Sequence, residues 1–186
     1  MLVCKKKDDG LRGRCDSFVV ETDVHYPTDI NLLWDAMRKV IRQIGVLSSR
    51  VGVSGWRQSH HNLLAVKRAY RKAQQLKRST SQAADKQARR EKLIVEAHEE
   101  YVSLAEGFIE KAEETIAAIR GKGIGNTMKN RLDEIEGFIG HARRQMDQIT
   151  RRVVKGEVIA HDEKVFSLFE PHTEWISKGK AGVLQE

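Results

Sequence analysis

From Met128 onward, one apolar residue recurs at alternating spacings of four and three: Leu132, Ile135, Ile139, Ala142, Met146, Ile149 and Val153. Such a repeat admits one regular structure, an α-helix with a narrow apolar seam of the coiled-coil kind. A second stripe precedes it, with Ile94, Tyr101, Ala105, Phe108, Ala112 and Ile119 on a helix expected from about Gln82 to Ile119. Between them stands Gly121-Lys-Gly-Ile-Gly125, which is too glycine-rich to continue a helix. Two long stripes joined by a short loop predict an antiparallel helical hairpin, capped at Asn126 or Thr127. The partner of the seam, within the chain or in another chain, is left open by the sequence.

Two more helices are expected upstream. Leu33, Met37, Val40, Ile44, Leu47 and Val51 repeat at helical spacing after Thr28 and Asp29, both good caps. Gly52 to Gly55 breaks that run, and Trp56, Leu63, Val66, Tyr70, Ala73 and Leu76 begin another. The polar stretch 77–82 marks a bend, with Ser79 or Ser81 capping the third helix. At the two ends the character changes. Cys15–Thr22 is short and β-branched and reads as a strand ended by Pro27, and Lys164–Phe169 reads as a second strand ended by Pro171. The fold class is therefore expected to be mostly α, with strands only at the margins.

Charge is distributed unevenly over the 186 residues, whose net charge is +7. Ala36 to Lys92 holds fifteen Lys/Arg against Asp85 and Glu91, a net of +13, while Leu93 to Ile119 carries −6. A basic block of that density suits a surface that tracks phosphates, and a solvated helical face is the plain alternative. Arg57, Lys67, Arg68, Arg71, Lys72, Lys77 and Arg78 are the candidate nucleic-acid contacts. No run approaches the length of a membrane span, and Cys4 and Cys15 lack partners at metal-ligand spacing, so a reduced cytoplasmic setting is expected.

Single chemical features are weak. His172 and Glu174 are a turn feature or an acid/base pair. His60-His61 lacks a third zinc ligand, and the glycines at 121, 123 and 125 lack the strand that a phosphate loop requires. Asp16 stands out as a carboxylate inside an apolar strand pattern, where a metal or a solvent-facing edge would accommodate it.

The stretch CDSFVVETDVHYPTDINLLWDAMRKVI (15–41) resembles the first catalytic-strand motif of bacterial DDE transposases of the ISNCY and related insertion-sequence groups. EKVFSLFEPHTEWISKGKAG (163–182) resembles the block that resumes the catalytic domain of those proteins after a helical insertion. The resemblance implies an RNase H-like α/β catalytic domain interrupted by a long helical insertion. Its parts would be 1–27 for the first catalytic strand, 28–156 for the insertion, and 157–186 for the resumed catalytic region. It further implies Asp16 as one catalytic carboxylate and magnesium ligand, acting in DNA cleavage and strand transfer. Glu170, Glu174 and Glu186 do not match the motifs of the other two triad members, which are expected beyond residue 186. The chain alone is then expected to be inactive and to hold magnesium weakly or not at all. Transposon-end DNA is the expected partner, with self-association or pairing to a full-length transposase through the hairpin. The competing expectation is a non-enzymatic helical protein that binds DNA or a coiled-coil partner and modulates a full-length transposase.

Overall fold

The computed structural model describes residues 27–169, leaving out the side chain of His161. Four helices account for most of it: α1 (Asp29–Val51), α2 (Ser59–Gln75), α3 (Ala84–Arg120) and α4 (Asn126–Ile149). A π-helical turn, Thr150–Val154, prolongs α4, and a 3-10 turn, His161–Glu163, comes after it.

Thr28 caps α1 as its residue type suggests: its backbone is extended, and its hydroxyl accepts from the Asn31 amide at 3.4 Å. Gly52 ends the helix in the left-handed region at φ 68°, where a Cβ would be strained. The other caps depart from expectation. The residue before α3 is Ala83 and the one before α4 is Gly125, and neither end has a side-chain cap. Ser81 serves the bend instead, accepting the Ala83 amide on its hydroxyl and the Gln87 side chain on its carbonyl.

Side-chain pairs fix the directions of the helices. Gln43 on α1 donates to Glu134 on α4 at 2.8 Å, and Asp29 pairs with Arg152 just beyond α4 at 3.0 Å, so α1 and α4 are antiparallel. Arg120 holds Asp133 and Glu136, and Arg143 holds Glu113, so α3 and α4 are antiparallel too, as the hairpin requires. Tyr70 donates to Asn31, and Trp56 donates to Thr115, which reverses α2 against both α1 and α3. The result is an up-down-up-down four-helix bundle in which α1 also touches α3 across the diagonal.

The seam of α4 is filled from inside the chain. Leu132, Ile135, Ala142 and Ile149 are fully buried, and α1, more than α3, is the neighbour they pack against. The hairpin of α3 and α4 is thus one edge of a bundle, and α1 of the same chain fills most of the seam. Its counterpart on α1 is the stripe Leu33, Met37, Val40, Ile44 and Leu47, none more than 2% exposed.

The strand expected at Lys164–Phe169 does not form; that segment is irregular. It lies on the bundle, with Leu168 buried and the Phe169 ring 6.2 Å from that of Phe138. Its apolar side chains find cover against helices, and among the described residues no strand offers it a ladder of hydrogen bonds. The other expected strand, Cys15–Thr22, and Asp16 with it, lies outside the described residues, as do His172 and Glu174. Among the described residues no helix is long and apolar enough to cross a membrane.

Candidate nucleic-acid interface

Helix α2 buries Leu63, Val66, Ala69 and Ala73 and so turns the opposite side outward. That outward side carries His61, Leu64, Arg68, Arg71, Lys72 and Gln75, all exposed. No carboxylate occurs anywhere from Ala36 to Ala84. Like charges three and four residues apart destabilise an isolated helix by a few tenths of a kcal/mol, roughly 0.2–0.5 per pair, so Arg68, Arg71 and Lys72 are a small cost to folding.

Beyond the connector, α3 is much longer than its neighbours. At about 1.5 Å per residue its 37 residues span roughly 55 Å, against roughly 35 Å for the 23 of α1. The first buried residue of α3 is Ala97, so the turns before it extend past the core. They carry Lys86, Arg89, Arg90 and Lys92. Arg90 Nε donates to the Lys77 carbonyl at 2.7 Å, which ties the start of α3 to the end of α2.

The tie closes a groove of about 610 Å³ at the α2–α3 junction. Arg68, Arg71, Lys72 and Arg90 line it with Leu76 and Leu93, and Glu96 is the single acid on its wall. Lys72 also reaches Glu100 on α3, both side chains being more than half exposed, so any phosphate at Lys72 competes with that ion pair.

The structure thus gathers three of the seven sequence candidates, Arg68, Arg71 and Lys72. Lys77 and Arg78 sit exposed in the adjacent connector. Lys67 points elsewhere, with its ammonium 5.9 Å from the Trp34 ring on α1. Arg57 precedes α2, and the nine residues of helical rise from Ser59 to Arg68, about 13 Å, keep it apart from Arg68. Arg90 is not among the sequence candidates. The basic block includes it, but only the reversal of chain direction at 76–83 brings it beside Arg71.

Aromatic side chains near this face are already engaged. Trp34 stacks on Tyr70 at 5.6 Å and 13°, and Tyr70 tilts against Tyr101. Burial raises the Tyr70 phenol, against the lowering effect of its Gln74 hydrogen bond, and burial raises Tyr101 well above the ordinary range. Both phenols stay protonated at neutral pH, and their hydroxyls serve Asn31 and the Ile30 carbonyl.

Among the described residues no cluster of three His, Cys, Asp or Glu is arranged to hold a metal ion, and Asp16, on which the implied magnesium site rests, lies outside them. His60 and His61 are exposed in the first turn of α2. Comparison with protein-family models, with curated proteins and with solved structures finds no match to this chain.

Proposed function

We propose that this chain is part of a DDE-type transposase and that its helical bundle holds DNA through phosphates at the α2–α3 junction. The observation that carries the binding reading is the convergence of Arg68, Arg71, Lys72 and Arg90 on one groove, drawn from two helices. Four cations in one groove with a single acid make a favourable surface for a polyanion, and Arg forks suit phosphate oxygens. The engaged aromatics favour backbone contacts over base stacking, since neither Trp34 nor Tyr70 offers a free ring beside the groove.

The transposase part rests on the resemblance of residues 15–41 and 163–182 to the family's motifs. A helical unit between those two blocks agrees with the helical insertion that the resemblance implies. On this reading the RNase H-like portion, Asp16 and the magnesium chemistry belong to the parts flanking the bundle, in a bacterial cytoplasmic protein. A non-enzymatic helical module that modulates a full-length transposase would share the same binding face and differ only in needing no Asp16.

The test is fluorescence anisotropy with duplexes of unrelated sequence. About four phosphate contacts predict a loss of roughly 100-fold in affinity between about 50 and 200 mM salt. Arg68→Glu, Arg71→Glu and Arg90→Glu together should weaken every duplex alike while the helical circular dichroism stays unchanged. Asp16→Asn should leave binding intact and, in a reconstructed full-length enzyme, abolish nicking of supercoiled plasmid. Salt-insensitive binding, or none at low salt, removes the DNA reading. An active Asp16→Asn enzyme removes Asp16 from the catalytic set.

A further inference from the structure

Opposite in charge to the α2 stripe is a second groove, of about 630 Å³, between α3 and the end of α4. Its rim carries Glu99, Glu106 and Glu110, and its floor is Val102, Ile149 and Val154. Val154 is 41% exposed although apolar. Of the three acids only Glu106 lies within salt-bridge distance of a cation among the described residues, Arg143 at 3.8 Å, and Arg143 holds Glu113 more closely at 2.9 Å. Among the described residues, neither Glu99 nor Glu110 forms a salt bridge.

His98 adds a directional group to this groove. It lines the groove while 94% of its surface is covered. Its Nδ1 stands 2.7 Å from the Ile94 carbonyl, which can only accept, so Nδ1 carries the hydrogen. Burial lowers the imidazole below its ordinary range, against the Ile94 hydrogen bond, and the charge of Arg152 lowers it further. At neutral pH, Nε2 is therefore a lone-pair acceptor. An apolar floor, a carboxylate rim and a buried acceptor describe a seat for a cationic, amphipathic ridge.

We infer that the ridge is α2 of a second copy of this chain, seated through Leu64, Arg68 and Arg71 in the groove between α3 and α4. Two features of the molecule select that occupant. The α2 stripe is basic and free of carboxylates, and it carries Leu64, 38% exposed, to meet the apolar floor. The groove is acidic, so the two surfaces are complementary in charge. The two surfaces are different patches of one molecule, so the contact runs head to tail and builds rings or open chains rather than a two-fold dimer. One helix in one groove falls short of the roughly 1,200–2,000 Å² of a stable interface, so the association is weak and salt-sensitive.

Self-association of this kind does not depend on DNA binding, and the two are separable by experiment. Sedimentation velocity of the full chain should show the mean mass rising with concentration at about 50 mM salt and falling to monomer near 300 mM, as screening strengthens. Glu99→Lys with Glu110→Lys reverses the groove; Arg68→Glu with Arg71→Glu reverses the ridge. Each double variant alone should associate at least about tenfold more weakly, a change of about 1.4 kcal/mol. An equimolar mixture of the two should associate again, because each then meets an opposite charge. The groove variant keeps the basic stripe and should still bind duplex DNA by fluorescence anisotropy. A wild-type chain that stays monomeric at low salt overturns the inference. So does a mixture that stays monomeric while the wild type associates, or charge variants that associate as strongly as the wild type.

Discussion

Between Ala97 and Ile119, α3 places a residue in the core at every turn, whereas from Ala84 to Glu96 no residue of the same helix is buried. The first stretch is held by its neighbours: Tyr101, Ala105, Ile109 and Ala112 are fully covered by the other helices. The second has few tertiary ties, chiefly Arg90 to the Lys77 carbonyl and, just beyond it, Lys72 to Glu100 from the neighbouring helix. One continuous helix therefore contains a structural part and a part outside the core, where Lys92 pairs with Glu96 and most charged side chains are exposed. Core burial sets the stability of the first; the second persists on intrinsic propensity, in a segment rich in Ala, Lys, Arg, Gln and Glu.

Substitutions can break this contrast directly. Ile109→Ala opens a cavity in the fully enclosed core and should cost about 2–5 kcal/mol in urea unfolding. A cost below about 1 kcal/mol there would show that the two stretches of α3 are not so different. Thr115→Val removes the oxygen that receives the Trp56 indole N–H at 2.8 Å in a buried setting. It should cost about 1–3 kcal/mol, because the indole is left without its acceptor.

A smaller effect is expected from pH. Burial lowers His98, so the folded chain gives up this proton more readily than the unfolded chain, whose value is near 6.5. The stabilising contribution is therefore whole above about pH 6.5 and is lost as pH falls through the depressed folded value. Melting temperatures at about pH 7.5 and pH 5.5, on either side of the unfolded value near 6.5, should differ more in the wild type than in His98→Gln. An equal pH dependence in both would place the sensitivity elsewhere. Least of all should come from the projecting turns: Leu93→Ala, at a side chain 48% exposed, should stay within about 0.5 kcal/mol of the wild type. Hydrogen exchange should accordingly be fast before Glu96 and slow from Tyr101 to Ile119.

Much of this helical frame is legible in the sequence. The stripes at 33–51, 63–76 and 128–153 identify their helices because an apolar face must be buried, and a 3.6-residue turn dictates its spacing. Gly52 and Thr28 behave as their backbone and side-chain chemistry demands. Lys164–Phe169 misleads because a short apolar and aromatic run has the same composition whether it enters a sheet or drapes over helices. The site is half legible: charge density points at α2, but neither Arg90 nor the removal of Lys67 toward Trp34 can be deduced from spacing along one helix.

Local chemistry in the sequence determined four helices, their approximate ends, and a basic middle followed by an acidic stretch. Those properties depend on residues within a turn or two of one another, where backbone geometry is fixed. The tertiary structure decided which stripes meet: the α4 seam is filled mainly by α1, and Arg68, Arg71 and Lys72 face Arg90 across a bend. Apolar burial carries no direction, so any complementary stripe would have satisfied the α4 seam. The choice among partners is made by how all four helices pack at once.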